Sequence, residues 1–508
     1  MHHHAGRPRP AGRETIQNMN RDFEELQRSL EKASALQAAL ALFGWDSETL
    51  APPESAAYTA RAVGALAEEY SAVMNSPRLR ELAASIDPAT LSPKEAAILR
   101  RLRRELEYFE KIPQEEYRAW QELLARSSSV WKAAKAKNDF ASFAPVLEEI
   151  VQTARRFATL RAKPGQAPYD VLLQDYDESF PMAVLDPFFE KVKNCVVPLL
   201  RARVDALHEQ TVKHPCPADK QRAFCRWLAG YVGLDFSRGV MGETEHPFTD
   251  GLHNHDVRIA LHYHEDDAAS AIFATIHETG HAIYEQQIDD DYTLTLAGEV
   301  PSMALHESQS RFFENNIGRS RPFWTAIYEK LQRMLPEAYG DVSLDEFLRE
   351  ANAAVPGPLR LEADELTYSL HILIRYELEK QLIDGSLAVK DLPGAWNARY
   401  RELLGVEVRT DSEGVLSDSH WSGGLIGYFP SYAIGSAFAA QLEARLRSVM
   451  DLDGALRSGG LSDVRGYLRE HLHRFGGVKT SAELIESAAG EPFNPDYYLE
   501  YLTKKYKV

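Results

Sequence analysis

The chain has 508 residues, 44% of them hydrophobic and 26% charged, the balance of a soluble globular protein. No apolar run reaches the roughly 20 residues that span a bilayer, which argues against an integral membrane protein. The formal net charge of −18 argues against nucleic acid, whose phosphates require a basic footprint.

The first residues, MHHHAGRPRPAGRETIQ, are basic and polar and lack the apolar core of a secretory signal. Residues 1–13 read as a disordered, tag-like N-terminus, and their histidines are left out of the metal argument. Helical periodicity then takes over at 20–43 and 60–75. Ser92-Pro93-Lys94-Glu95 is a capping box with proline at the first helical position. Behind it Ile98, Leu102, Leu106 and Phe109 recur at helical spacing until Pro113. The basic run Arg100–Glu105 lies in that helix and reads as a solvated face.

Periodic stretches continue at 115–160 and 185–210. Three cysteines, Cys195, Cys216 and Cys225, cannot form a disulfide framework and fit a reducing, cytoplasmic setting. Between 236 and 264 the composition shifts to glycine, histidine and β-formers, and 257–263 alternates as a strand. Such a strand can pair with a peptide backbone. His253, His255, His262 and His264 read as cleft-lining or surface histidines rather than a second metal site. Further helices follow at 303–318, 365–384 and 433–448, and no repeat or low-complexity linker appears. Residues 14–508 read as one catalytic unit. Its part 14–235 forms a helical wall or lid, and 236–508 holds metal and substrate.

The densest chemistry is AIFATIHETGHAIYEQ, residues 271–286. Asp266 and Asp267 can cap this helix, and Ala269, Ile272, Phe273, Ile276, Gly280, Ile283 and Tyr284 form its buried stripe. Positions four apart share a helix face, so His277 and His281 can offer two imidazoles to one ion. Glu278 is turned away by about 100°, close enough to reach a water beside the ion without ligating it. Catalytic zinc takes three protein ligands. The third is expected on 303–318, where Glu307 and its neighbour His306 both qualify.

With these residues in view the chain resembles the M32 family of metallocarboxypeptidases. The resemblance rests on ordered motifs: Asp256-Val257-Arg258-Ile259-Ala260, His277 to His281, His306-Glu307-Ser308-Gln309, Leu359 to Asp364, and Gly414 to Trp421, followed by GYFPSY at 427–432. LFGWDSET at 42–49 is a weaker match. The resemblance implies one zinc per chain on His277, His281 and Glu307, with cobalt or manganese as substitutes. It also implies a mainly α, elongated metallopeptidase fold with a deep central groove and a small β-sheet beside the motif helix. That is the architecture of the wider group containing neurolysin and angiotensin-converting enzyme. A homodimer is implied as well.

On this basis Glu278 is the general base. His420, Tyr428 and Tyr432 are the candidate oxyanion donors. Arg360, favoured over Arg258, is the candidate receptor for a C-terminal carboxylate, with Asp256, Asp364 and Asp418 beside the motif arginines. The expected activity is removal of C-terminal residues from peptides with broad preference. An oligopeptidase, a dipeptidyl carboxypeptidase and a non-catalytic peptide-binding protein are the alternatives. Three positions depart from the family pattern. Ala260 stands for threonine, Ser417 for glutamine and Leu359 for isoleucine, so hydrogen bonds from the first two side chains are in question.

Overall fold

The structure is a computed structural model that describes the backbone of residues 12–508 and the side chains from residue 21, except that of Phe109. Of the stretch 1–13 expected to be disordered, residues 1–11 lie outside the described residues, and Gly12 and Arg13 belong to the first helix.

Among the described residues, nine α-helices precede the sheet. They are α1 (Gly12–Thr49), α2 (Ala56–Met74), α3 (Pro77–Ser85), α4 (Pro93–Lys111), α5 (Gln114–Lys137), α6 (Phe140–Arg161), α7 (Pro168–Tyr176), α8 (Met182–Leu207) and α9 (Ala218–Val232). The predicted capping box closes α4, with Glu95 N–H donating to the Ser92 hydroxyl and Ser92 N–H to the Glu95 carboxylate. The stretch 115–160 divides into α5 and α6. Asn138 adopts a left-handed φ of 54° there, and Asp139 caps α6 by accepting from Ser142 N–H. Asparagine tolerates that conformation, so a continuous periodic pattern hides a break.

The basic run of α4 is not simply a solvated face. Arg100 donates to the carbonyls of Gly477 and Val478, Arg101 to that of Val300 and to Glu299, Arg103 to those of Ala83 and Ile86, and Arg104 to that of Gln174. A guanidinium carries five donors in a fixed fork. Arg103 therefore ties α4 to the end of α3, and the other three tie it to segments far away in the chain.

The sheet comprises β1 (Gly239–Glu243), β2 (Phe248–His253) and β3 (Asp256–Leu261). Its order is β1-β3-β2, with β1 parallel and β2 antiparallel to β3. The predicted strand exists, but it is the central one. Both its edges are spent on β1 and β2, so the expected pairing of β3 with a substrate backbone is ruled out. His255 bonds Asp290, and His262 Nδ1 lies 2.8 Å from the carbonyl of Thr244. Neither joins a metal cluster among the described residues.

The second half is helical: α10 (Ala268–Gln286), α11 (Met303–Arg311), α12 (Arg321–Met334), α13 (Pro336–Tyr339), α14 (Leu344–Ala351), α15 (Glu365–Asp384), α16 (Leu392–Leu404), α17 (Pro430–Val449), α18 (Leu452–Arg457), α19 (Leu461–His471), α20 (Ser481–Ala489) and α21 (Asp496–Tyr506). A π-helical turn, Phe312–Ile317, extends α11. One large core runs from Ile112 to Tyr506, so α5 to α9 share it with the catalytic half. A smaller core joins α1, α3 and α4 to Leu296 and Ala297.

Candidate active site

Asp267 caps α10, its carboxylate accepting from Ala269 N–H. Asp266 pairs with Lys213 instead. The helix is buried on nearly every side, between the sheet and α11. Two glycines allow the close packing that builds the site. A Cβ on Gly280 would lie 2.7 Å from the carbonyl oxygen of Gln309, so α10 and α11 approach backbone to backbone. A Cβ on Gly435 would lie 2.8 Å from Glu307 Cγ, so α17 presses on α11 at that glutamate.

The result is a triangle of donors. His277 Nε2 lies 3.7 Å and His281 Nε2 3.4 Å from Glu307 Oε2. One ligand atom from each of the three residues falls within 4.8 Å of the others. A tetrahedral zinc with bonds near 2.0–2.1 Å has donor–donor edges of about 3.3 Å. Two imidazoles and a carboxylate are also the donor set of a catalytic zinc. The residues fit the metal.

Supporting groups fix each member. His277 Nδ1 lies 2.9 Å from Glu314 Oε2 in the π-helical turn, which leaves Nε2 for the triangle. Arg311 Nε donates to Glu307 Oε1 at 2.6 Å and Ser310 Oγ donates to Oε2 at 3.1 Å. Arg319 holds the other oxygen of Glu314 at 2.8 Å. His306 stays outside the triangle. Its ring stacks on His281 at 4.3 Å and its Nε2 lies 3.0 Å from Glu285 Oε1.

Glu278 is 6% exposed. Burial pushes its pKa above the ordinary carboxylate value, with His277 and a hydrogen bond from Thr249 pulling against it. Thr249 Oγ1 donates to Glu278 Oε2 at 2.6 Å. Sequence reasoning missed Thr249, Arg311 and Glu314. Every residue of β2 is half-buried, so that strand carries no alternating signal.

His420 and the two tyrosines converge on the same region. His420 Nε2 lies 3.1 Å from the Tyr432 hydroxyl, while its Nδ1 is buried without a partner. Burial lowers the ring's pKa to about 4 despite the pull of Asp418. The imidazole is therefore neutral near pH 7. Burial, reinforced by the Glu307 charge, pushes the Tyr428 hydroxyl up to about 12. The Tyr432 hydroxyl is raised too, first by burial. Both hydroxyls keep their protons and can donate. The Tyr428 and Tyr432 rings meet edge-on at 5.3 Å.

The motif arginines differ sharply. Arg258 grips both oxygens of Asp256 at 2.8 Å and lies over the Trp45 ring of α1 at 5.0 Å. Arg360 is 6% exposed, lies over the Tyr432 ring at 4.9 Å and donates to Asp418 Oδ1 at 2.9 and 3.0 Å. Arg375, fully buried, takes Asp418 Oδ2 at 2.7 Å through Nε. Two guanidiniums share one carboxylate, so Arg360, Arg375 and Asp418 together carry a formal net positive charge beside Tyr432, and the Arg375 charge also reaches Glu379. Asp364 is the cap of α15, accepting from Thr367 N–H, Thr367 Oγ1 and Val355 N–H.

Two departures from the motif pattern leave traces. Ala260 is fully buried on β3, where a hydroxyl would need a partner. The Ser417 hydroxyl is buried with no partner at all. A groove of about 880 Å³, lined by α2, α4, α5, α6 and α7, reaches Gly423–Ile426, the residues between His420 and Tyr428.

Comparison with known proteins follows the same lines. A family model described as Carboxypeptidase Taq (M32) metallopeptidase matches residues 25–506. Carboxypeptidase 1 of Bacillus subtilis is 38% identical over 499 residues, covering 97% of this chain and 98% of that protein. Thermostable carboxypeptidase 1 of Thermus thermophilus is 34% identical over 505 residues, covering 95% and 98%. Among solved structures, Trypanosoma cruzi metallocarboxypeptidase 1 superposes with a TM-score of 0.91 at 32% identity, covering 96% of this chain and 100% of that one. The M32 carboxypeptidase from Deinococcus radiodurans gives 0.91 at 33% identity, with 96% and 98% covered.

Proposed function

The chain belongs to the M32 family of metallocarboxypeptidases and is a hydrolase of peptide bonds, and from that premise we propose a zinc enzyme that frees single C-terminal residues with broad preference. The observation that carries the assignment of residues is the triangle of His277, His281 and Glu307, with Glu278 on the next position of the same helix. Zinc bound there supplies a Lewis acid and brings the pKa of water toward neutrality.

Glu278 takes the proton of the attacking water and passes it to the leaving amine. Its raised pKa suits both halves of that task, and Thr249 fixes the carboxylate's orientation. As the scissile carbonyl becomes an oxyanion, Tyr428 and Tyr432 donate to it from protonated hydroxyls, with neutral His420 setting the Tyr432 hydroxyl. Arg360 receives the free C-terminal carboxylate. The net positive charge it shares with Arg375 and Asp418 favours an anion, whereas the guanidinium of Arg258 is already occupied by Asp256.

The proposal extends to a single catalytic unit in which the N-terminal helices form one wall, supported by the core that α5 to α9 share with the catalytic half. It also includes a reducing, cytoplasmic setting, supported by three free cysteines, and a homodimer, supported by the family resemblance. The test is product analysis on a blocked peptide with a free or an amidated C-terminus, alongside metal content. Single residues should leave only the free form, and Glu278→Gln should keep its zinc and lose turnover. Equal cleavage of the amidated form would end the reading of Arg360.

A further inference from the structure

Glu379, in the C-terminal third of α15, has no role in the reading so far, yet it is 0% exposed and makes no ion pair among the described residues. A buried carboxylate persists only where donors satisfy it. Three do, from separate parts of the chain. The Tyr169 hydroxyl of α7 donates to Oε2 at 2.7 Å, Gly427 N–H donates to the same oxygen at 2.9 Å, and Trp421 Nε1–H donates to Oε1 at 2.8 Å.

Two of these donors sit just inside the two ends of a loop flanked by candidate oxyanion groups. Trp421 directly follows His420, and Gly427 directly precedes Tyr428. One carboxylate therefore holds both ends of the intervening loop. The third donor joins that loop to α7, and two more contacts run the same way. Gly427 has a φ of +93°, and a Cβ there would lie 3.0 Å from the Leu172 backbone of α7. Tyr176 of α7 meets the Tyr428 ring edge-on at 5.1 Å. Burial pushes the Glu379 carboxyl up to about 7, against the three donors and the charge of Arg375.

We propose that Glu379 is a positioning residue whose carboxylate fixes the 420–428 loop against α7 and so places His420 for the transition state. The inference rests on the reading of His420 given above. Its chemical basis is acceptor count. Tyr169, Trp421 and Gly427 present three N–H or O–H groups, and only a carboxylate offers acceptors on both of its oxygens. A carboxamide has one acceptor oxygen and an NH2 that only donates, so in Glu379→Gln its NH2 must oppose either the Trp421 indole N–H or the Gly427 amide. Either choice frees one end of the loop while leaving side-chain volume unchanged.

The experiment measures kcat, KM, metal content and thermal midpoint for a peptide with a free C-terminus in Glu379→Gln, Trp421→Phe, His420→Ala and the double variant Glu379→Gln/His420→Ala. Glu379→Gln should lose about 10- to 100-fold in kcat, the scale of small misplacements, with metal content unchanged. KM should stay within about twofold, because ground-state binding is not what the loop provides. In the His420→Ala background the same change should cost less than about threefold, because the group it positions is gone. Trp421→Phe removes one donor without touching the carboxylate, so it should reproduce the kcat loss, and it decides the matter if Glu379→Gln does not fold. Equal losses in both backgrounds, a rise in KM at constant kcat, or unchanged kcat overturn the positioning role. A His420→Ala variant with full kcat refutes the reading of His420 itself, and the positioning role falls with it.

Discussion

Replacing Gly435 with alanine should weaken metal binding more than it weakens the fold. The new Cβ would lie 2.8 Å from Glu307 Cγ and 2.9 Å from Glu307 Cβ, where ordinary contact begins at 3.4 Å. Relieving the clash moves Glu307 and α17 apart by about 0.6 Å (3.4 − 2.8), while a metal site tolerates only about 0.2 Å in its bond lengths. For the fold, alanine gains about 0.8–1 kcal/mol of helix propensity. Overpacking costs about 1–3 kcal/mol, so the net destabilisation is about 0–2 kcal/mol. For the metal, disturbing a ligand's support costs about 10- to 100-fold in affinity, or about 1.4–2.8 kcal/mol. Chelator competition for zinc, read beside thermal unfolding of the metal-free protein, separates the two. Gly394→Ala is the control. Nothing lies within 4 Å of its added Cβ in α16, so it should leave metal affinity untouched. Wild-type zinc affinity in Gly435→Ala would refute the claim that the contact between α17 and α11 sets the position of Glu307.

Thr249→Val removes a hydrogen bond that lowers the pKa of Glu278. The acid limb of kcat/KM should therefore move to higher pH, with kcat down about 10-fold, and an unmoved limb would remove Thr249 from the mechanism. Arg360→Lys keeps a positive charge but loses the planar fork. KM for a free C-terminus should rise about 10-fold or more, and the preference over an amidated peptide should shrink in a direct competition assay. Glu379 gives a pH signature of stability. Its folded pKa of about 7 lies above its ordinary value of 4.5, so folding takes up a proton between those two values. Its contribution is therefore most favourable below pH 4.5 and is lost as pH rises through 7. The stability of wild type relative to Glu379→Gln should fall by about 1.4 kcal/mol per pH unit across that window. Denaturant unfolding at pH 5 and pH 8 checks it, and a pH-independent difference would show that Glu379 does not titrate there.

What the sequence disclosed and what it concealed divide along one physical line. His277, Glu278 and His281 were legible because the spacing that aligns them is set within one helix turn. Whether Glu307 or His306 completes the triangle was not legible from residues alone. The two side chains differ by one step around α11, and which of them faces α10 is decided by the approaches that Gly280 and Gly435 permit. The strand expected at 257–263 was visible in its alternation and forms at 256–261, but its place at the centre of the sheet depends on two partners whose own patterns are weak. The four arginines of α4 looked like a solvated run because their partners are backbone carbonyls, and no residue type marks those.

The same division explains why Arg258 and Arg360 could not be separated by spacing. Both sit in motifs with an aspartate nearby, yet Arg258 takes its own Asp256, two residues away, while Arg360 shares Asp418 with Arg375 from a different helix. An arginine paired one to one with a carboxylate is neutralised. Two arginines on one carboxylate keep a net positive charge toward a ligand, and burial strengthens its attraction because water is excluded. Capacity to bind an anion is therefore a property of the trio rather than of a motif. That is why Arg375, which stands in none of the motifs, matters as much to the charge at that end of the site as Arg360 does.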